Sequence, residues 1–118
     1  MKYVFLAYAD EQQWDAMSKR ERDALTLAGR ANDAVLRQRG HLLAVAGLQH
    51  SHTATTVRVQ NGMVSVTVGL CAGTQEQLIG IFFINARDLN DAIQVATTMP
   101  QARGGPIEVR PLVACDPS

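Results

Sequence analysis

Charge of one sign is what this chain lacks most plainly. Eleven lysines and arginines offset eleven aspartates and glutamates across 118 residues, for a formal net charge of zero. Phosphate-rich partners demand a clustered basic surface, so nothing here favours nucleic acid. Near-zero charge also supplies little colloidal repulsion and tolerates self-association. Long apolar runs are missing too. None approaches the roughly 20 residues that span a bilayer. The opening Met1-Lys2 leads into an apolar stretch that Asp10 and Glu11 interrupt, without the h-region and cleavage site of a signal peptide. The expectation is a cytoplasmic protein with no membrane partner. Cysteine is scarce: Cys71 and Cys115 lie far apart and read as reduced thiols rather than a disulfide framework. No linker, repeat or low-complexity tract divides the chain, and its length suits one domain over residues 1–118.

What is present reads as alternating strands and helices. Residues 3–8 are strand formers, and residues 10–17 suit a short helical turn carrying Trp14. Ser18-Lys19-Arg20-Glu21 fits a capping box, in which each end residue satisfies the other's free backbone N–H. Beyond it, Ala24, Leu25, Ala28, Ala31, Val35 and Leu36 recur at helical spacing, and Gly40 supplies a stop. Residues 42–48 form a second strand. Residues 55–60 and 63–68 flank Asn61-Gly62, whose tolerance of positive φ predicts a two-residue hairpin pairing Gln60 with Met63, Val59 with Val64 and Val57 with Val66. That register sets the valines on one face. Residues 78–84 form a strand apolar on both faces. Asp88 caps a helix to about Met99 with a stripe of Leu89, Ala92, Ile93, Ala96 and Met99, and residues 107–113 form the last strand.

The order β-α-β-β-β-α-β predicts an α+β fold, a ferredoxin-like sheet with helices on one face. Two helices cannot cover both faces, yet residues 42–48 and 78–84 are apolar on either side. Burying that second face at roughly 25 cal/mol per Å² favours association, and a second copy is the simplest cover. Trp14 and residues 69–77 folding across it in a monomer is the alternative.

Several segments together resemble the YCII-related (DGPF-domain) family. They are Met1-Lys2-Tyr3 with Tyr8 just before Asp10-Glu11, Ala54-Thr55-Thr56-Val57-Arg58, residues 74–78, Asp88-Leu89-Asn90-Asp91-Ala92, and Pro100-Gln101-Ala102-Arg103-Gly104-Gly105 leading into Ile107-Glu108-Val109-Arg110-Pro111. The resemblance runs through nearly the whole chain in order. It implies a dimeric α+β barrel, in which two ferredoxin-like subunits pack sheet on sheet around a pocket between sheet and loops. Many relatives have no established activity, and some are encoded beside extracytoplasmic-function sigma factors, which would suit a regulatory interaction module. The stretch that in many relatives reads Asp-Gly-Pro-Phe is Val68-Gly69-Leu70-Cys71 here, so the aspartate is absent. Some relatives are proposed to pair an Asp with a His on the first long helix. Residues 18–40 hold no His, so neither partner carries over. The chain leans away from being an enzyme on that comparison, with catalytic residues unassigned.

Among candidate site residues, Arg103 beside Gly104-Gly105 suits a binding role. A guanidinium grips a carboxylate in bidentate fashion, and glycines let backbone approach a ligand closely. Tyr8 and Thr74 offer hydroxyls to the same cavity. Glu108 and Arg110 share a strand face and suit either ligand contact or a mutual ion pair. His50 and His52 alternate in a polar loop; either His50 or His52 lines the pocket, with His52 the candidate site residue, or both are surface residues. With His41 they make no recognisable metal-ligand spacing, and no cofactor is implied. Cys71 has no forced cationic neighbour to make it reactive. Gly69 and Gly73 bracket a loop without forming a phosphate-binding fingerprint. The leading expectation is therefore a homodimer with a small-molecule pocket for an anionic or aromatic metabolite. A cofactor-free isomerase, hydrolase or oxygenase of the dimeric barrel type is the alternative.

Overall fold

The computed structural model describes residues 1–70 and 75–114, so Cys71, Gly73, Thr74 and Cys115 lie outside the described residues. The elements run β1 (Lys2–Ala9), α1 (Glu11–Ala16), α2 (Lys19–Gln38), β2 (Leu42–Gly47), β3 (Thr55–Gln60), β4 (Met63–Val68), β5 (Gln77–Asn85), α3 (Leu89–Thr97) and β6 (Ile107–Pro111). Single 3₁₀ turns lie at Ser51–Thr53 and Pro100–Arg103. Local chemistry sets most of these limits. The Glu21 N–H donates to Ser18 Oγ at 3.1 Å, the Ser18 N–H reaches back to Glu21 Oε1 at 3.4 Å, and so α2 starts on a complete capping box. Asp88 accepts from the Asp91 N–H at 2.8 Å and opens α3. Asn61 (φ 51°) and Gly62 (φ 76°) make the β3–β4 turn, with Gln60 opposite Met63 and Val57 opposite Val66.

Four strands form one antiparallel sheet in the order β2-β5-β1-β6, while β3 and β4 form a separate ribbon. The hairpin is thus inserted between the second and third strands of an α+β arrangement compatible with a ferredoxin-like fold. Tyr3, Phe5 and Ala7 of β1 and Phe82 and Ile84 of β5 point to the helix side. There they meet Leu36 of α2, Ala92, Val95 and Ala96 of α3, and Met99. On the opposite face Val4 and Leu6 stand opposite Phe83 and Ile81, with Phe83 39% exposed. The valine face of the hairpin, Val57, Val59, Val64, Val66 and Val68, is exposed as well.

Both helices are rotated from the spacing-based expectation. On α2 only Gly29 and Leu36 are buried, while Leu25 and Val35 are more than 40% exposed. The inner face is instead Gly29, Asn32, Asp33 and Leu36. A Cβ at Gly29 would lie 3.1 Å from Gln101 Nε2, a tight contact where the Pro100–Arg103 turn packs against the helix. On α3, Val95 is buried in place of Leu89 and Ile93.

The resulting body is flat, 51 × 47 × 18 Å, with a radius of gyration of 16.4 Å. A compact domain of this length has about 13.5 Å. The accessible surface is 8467 Å² for 12.8 kDa, where a monomer of that mass exposes about 6,300 Å².

The polar inner face of α2 carries an electrostatic penalty. Asp33 Oδ1, Asn32 Nδ2 and Gln101 Oε1 are buried without a hydrogen-bond partner among the described residues. Burial raises the Asp33 carboxyl above its ordinary 3.8, against a weaker opposing pull from Arg37. A carboxyl with a raised folded-state pKa destabilises the fold once pH exceeds that value, and the penalty fades as pH falls toward the unfolded value. Asp91 behaves oppositely: the Arg87 N–H bonds its carboxylate at 2.9 Å and is the main reason its pKa lies below the ordinary value, so its contribution is lost on acidification. Asp33→Asn should therefore raise Tm at neutral pH by roughly 2–4 °C. That gain should shrink as calorimetry is repeated down to acid pH.

Candidate functional site

Beyond the end of β1, four segments meet: Tyr8–Asp10, the connection 48–54, residues 75–78, and the turn 102–106. They border two open depressions that share Tyr8 and Glu76, the two lobes of a shallow cleft. The larger, about 850 Å³, is polar and holds Gln13, Gln75, Arg103 and Gly104; the smaller, about 380 Å³, is lined by Leu48, Ala54, Leu70 and Leu78 beside His50 and Ser51. Tyr8 and Glu76 belong to both lobes and form the divide between them. Tyr8 is placed there by an irregularity in the β1–β5 register between Ala7 and Tyr8, which re-aims the strand end. Its main chain is clamped from the other side, where the Tyr8 N–H donates to the Pro106 carbonyl at 3.0 Å. A Cβ at Gly105 would fall 1.9 Å from the Tyr8 carbonyl oxygen. The sequence-based reading had these glycines admitting a ligand; Gly105 instead admits the protein's own β1.

A cluster of ionisable side chains gathers around His50 and Ser51, which line the smaller lobe. Glu11 and Asp15, four residues apart on α1, face the Ser51–Thr53 turn. Glu11 accepts the Ser51 N–H at 2.8 Å and the Ser51 hydroxyl, and its side chain is only 13% exposed. His50 Nε2 lies 3.2 Å from Asp15 Oδ2, and His50 Nδ1 lies 3.7 Å from Glu11 Oε1. His52 Nδ1 approaches His50 Nδ1 to 2.8 Å, with ring centroids 4.6 Å apart. Among the described residues, no three His, Cys, Asp or Glu side chains are gathered in a way that could hold a metal ion.

Set against the sequence-based candidates, Tyr8 and Arg103 line the cleft. His52 reaches it through His50 rather than by lining it. Thr74 lies outside the described residues. Glu108 and Arg110 sit on the open sheet face, opposite Leu6 and Val4, and line neither lobe. Ion pairs among the described residues do not join them to each other. Asp15, Glu11 and Ser51 were not singled out from sequence. The spacing of Glu11 and Asp15 is readable on a helix, but nothing local ties it to a turn some 35 residues later.

Fold and cleft together define a small α+β domain, with an antiparallel sheet backed by helices on one face and a loop-bounded cavity at its end. No helix among the described residues is long and apolar enough to cross a membrane. The chain belongs to the YCII-related family, whose domain matches residues 1–116. It is also 34% identical over 119 residues, 99% of this chain and 96% of the other, to the uncharacterized protein R00369 of Rhizobium meliloti (strain 1021).

Since the Gly105–Tyr8 crossing leaves no room for a methyl group, Gly105→Ala should destabilise the fold by about 2–3 kcal/mol in urea unfolding. The same change at Gly104, where a Cβ would meet only ordinary contacts, should shift stability by less than about 1 kcal/mol.

Proposed function

We propose that this chain is a cytoplasmic homodimeric domain that binds a small anionic ligand with an apolar or aromatic body in the two-lobed cleft. The observation that carries the reading is Arg103. Its guanidinium lines the larger lobe and has no ion-pair partner among the described residues. A free guanidinium in a concave site suits a carboxylate, held in bidentate fashion. The Tyr8 ring then offers an edge for an aromatic or aliphatic body extending toward Leu48, Leu70 and Leu78.

The open sheet face supports the dimer. The chain exposes roughly 2,000 Å² more than a monomer of its mass, and obligate homodimers remove an area of that order from each protomer. Packing the Val4–Phe83 and Leu6–Ile81 rows against a second copy would give the sheet-on-sheet dimeric α+β barrel that the family resemblance implies. Glu108 and Arg110, in the same rows, would then face the partner's sheet rather than solvent.

Two measurements test this. Sedimentation should give a dimer at micromolar concentration, and Phe83→Glu should yield monomers; a folded wild-type monomer at that concentration removes the dimer. Amide shifts on titration with small aromatic carboxylates should cluster at Tyr8, Gln13 and Arg103. Arg103→Ala should weaken binding about tenfold or more, the loss of one charge-assisted bidentate contact. No shifts at those residues across a carboxylate series would remove the ligand reading.

A further inference from the structure

For a neutral His50, valence fixes the protons in the chain Asp15–His50–His52. A carboxylate only accepts, so His50 Nε2, 3.2 Å from Asp15 Oδ2, carries a hydrogen. A neutral His50 then has a bare Nδ1, which accepts the His52 backbone N–H at 3.4 Å and faces His52 Nδ1 at 2.8 Å. Two bare lone pairs would repel at that distance, so His52 Nδ1 carries the second hydrogen. What remains is His52 Nε2, a bare lone pair on an exposed ring.

We propose that Asp15, His50 and His52 form a proton relay whose open end, His52 Nε2, is a solvent-exposed general base joined to the smaller lobe through His50. The step balances without a co-reactant. An O–H or C–H acid gives its proton to His52 Nε2 and keeps the bonding electron pair. The Nδ1 hydrogen of His52 passes to His50 Nδ1, leaving His52 neutral and His50 as the imidazolium. That charge comes to rest between Asp15 Oδ2 and Glu11 Oε1, the latter 3.7 Å from His50 Nδ1. Glu11 is held for this by the backbone N–H and hydroxyl of Ser51. His52 touches the acid; His50 and Asp15 are positioning residues. The suitable substrates are weak acids within reach of imidazole, such as enols, phenols or carbon acids beside a carbonyl. Use of the relay on a bound ligand rests on the cleft reading above, whereas the relay itself does not.

Ligand-free protein labelled with ¹⁵N tests it. Long-range ¹H–¹⁵N spectra at neutral pH should show His50 protonated on Nε2 and His52 on Nδ1. Asp15→Ala, at an exposed position, should scramble both tautomers, and Asp15→Glu should restore them. Diethyl pyrocarbonate, which acylates a bare imidazole nitrogen, should modify His52 about tenfold more slowly in Asp15→Ala and in His50→Phe than in the parent protein. His52 protonated on Nε2, or acylation rates equal in parent and Asp15→Ala, would overturn the relay whatever the cleft binds. Carboxylate titration of the same samples reads the cleft separately, so the two ideas fail independently.

Discussion

Two helices lie against a four-stranded sheet from one side, and most of the remaining architecture follows from that imbalance. The helix side closes on Tyr3, Phe5, Ile84 and Met99, all nearly inaccessible to water. The other side is left with Val4, Leu6, Ile81 and Phe83 in graded exposure, and the body is only 18 Å thick. A layer of sheet and a layer of helix bury a single interface, whereas most stable domains of this size bury more of their apolar area. The proposed second copy would supply the missing layer.

The cleft depends on a different constraint, a crossing of backbones rather than of side chains. The segment leading into β6 passes so close to Tyr8 that residue 105 has no space for a Cβ. The Pro100–Arg103 turn just before it is pressed against α2 at Gly29. Arg103 is therefore carried by a short segment anchored at both ends, once on the sheet and once on the long helix. Fixing a long, flexible side chain through its backbone limits the entropy lost when it grips a ligand. The unpartnered Asn32, Asp33 and Gln101 atoms lie along that same anchor.

How much of this was legible depended on whether the signal was local. The hairpin register followed from Asn61-Gly62 because a two-residue turn with positive φ leaves one pairing. Ser18, Asp88 and Pro100 marked helix limits through hydrogen bonds or ring geometry within a few residues. The rotation of α2 was not legible. Ala24, Ala28, Ala31 and Ala34 spread weak apolar character round the helix, and the deciding contact, Gly29 with Gln101, lies over 70 residues away in sequence. Within the site, Arg103 and Tyr8 could be named from residue type and neighbours. The meeting of Asp15 with His50 could not, since it arises only once α1 packs beside the Ser51–Thr53 turn. The absence of His from residues 18–40 pointed away from acid–base chemistry on the first long helix, while Glu11, Asp15, His50 and His52 converge elsewhere.

The β3–β4 ribbon leaves the body after the Ser51–Thr53 turn and returns before β5, so its length is uncoupled from the four-stranded sheet. Residues could be added at the Asn61-Gly62 tip without disturbing a single pairing below it. Parity would matter, however. Adding one residue to each strand moves the turn to the other face, whereas two to each keep it there with Val57, Val59, Val64 and Val66 still in line. The ribbon is in that sense an adjustable arm whose reach can lengthen only in fixed increments.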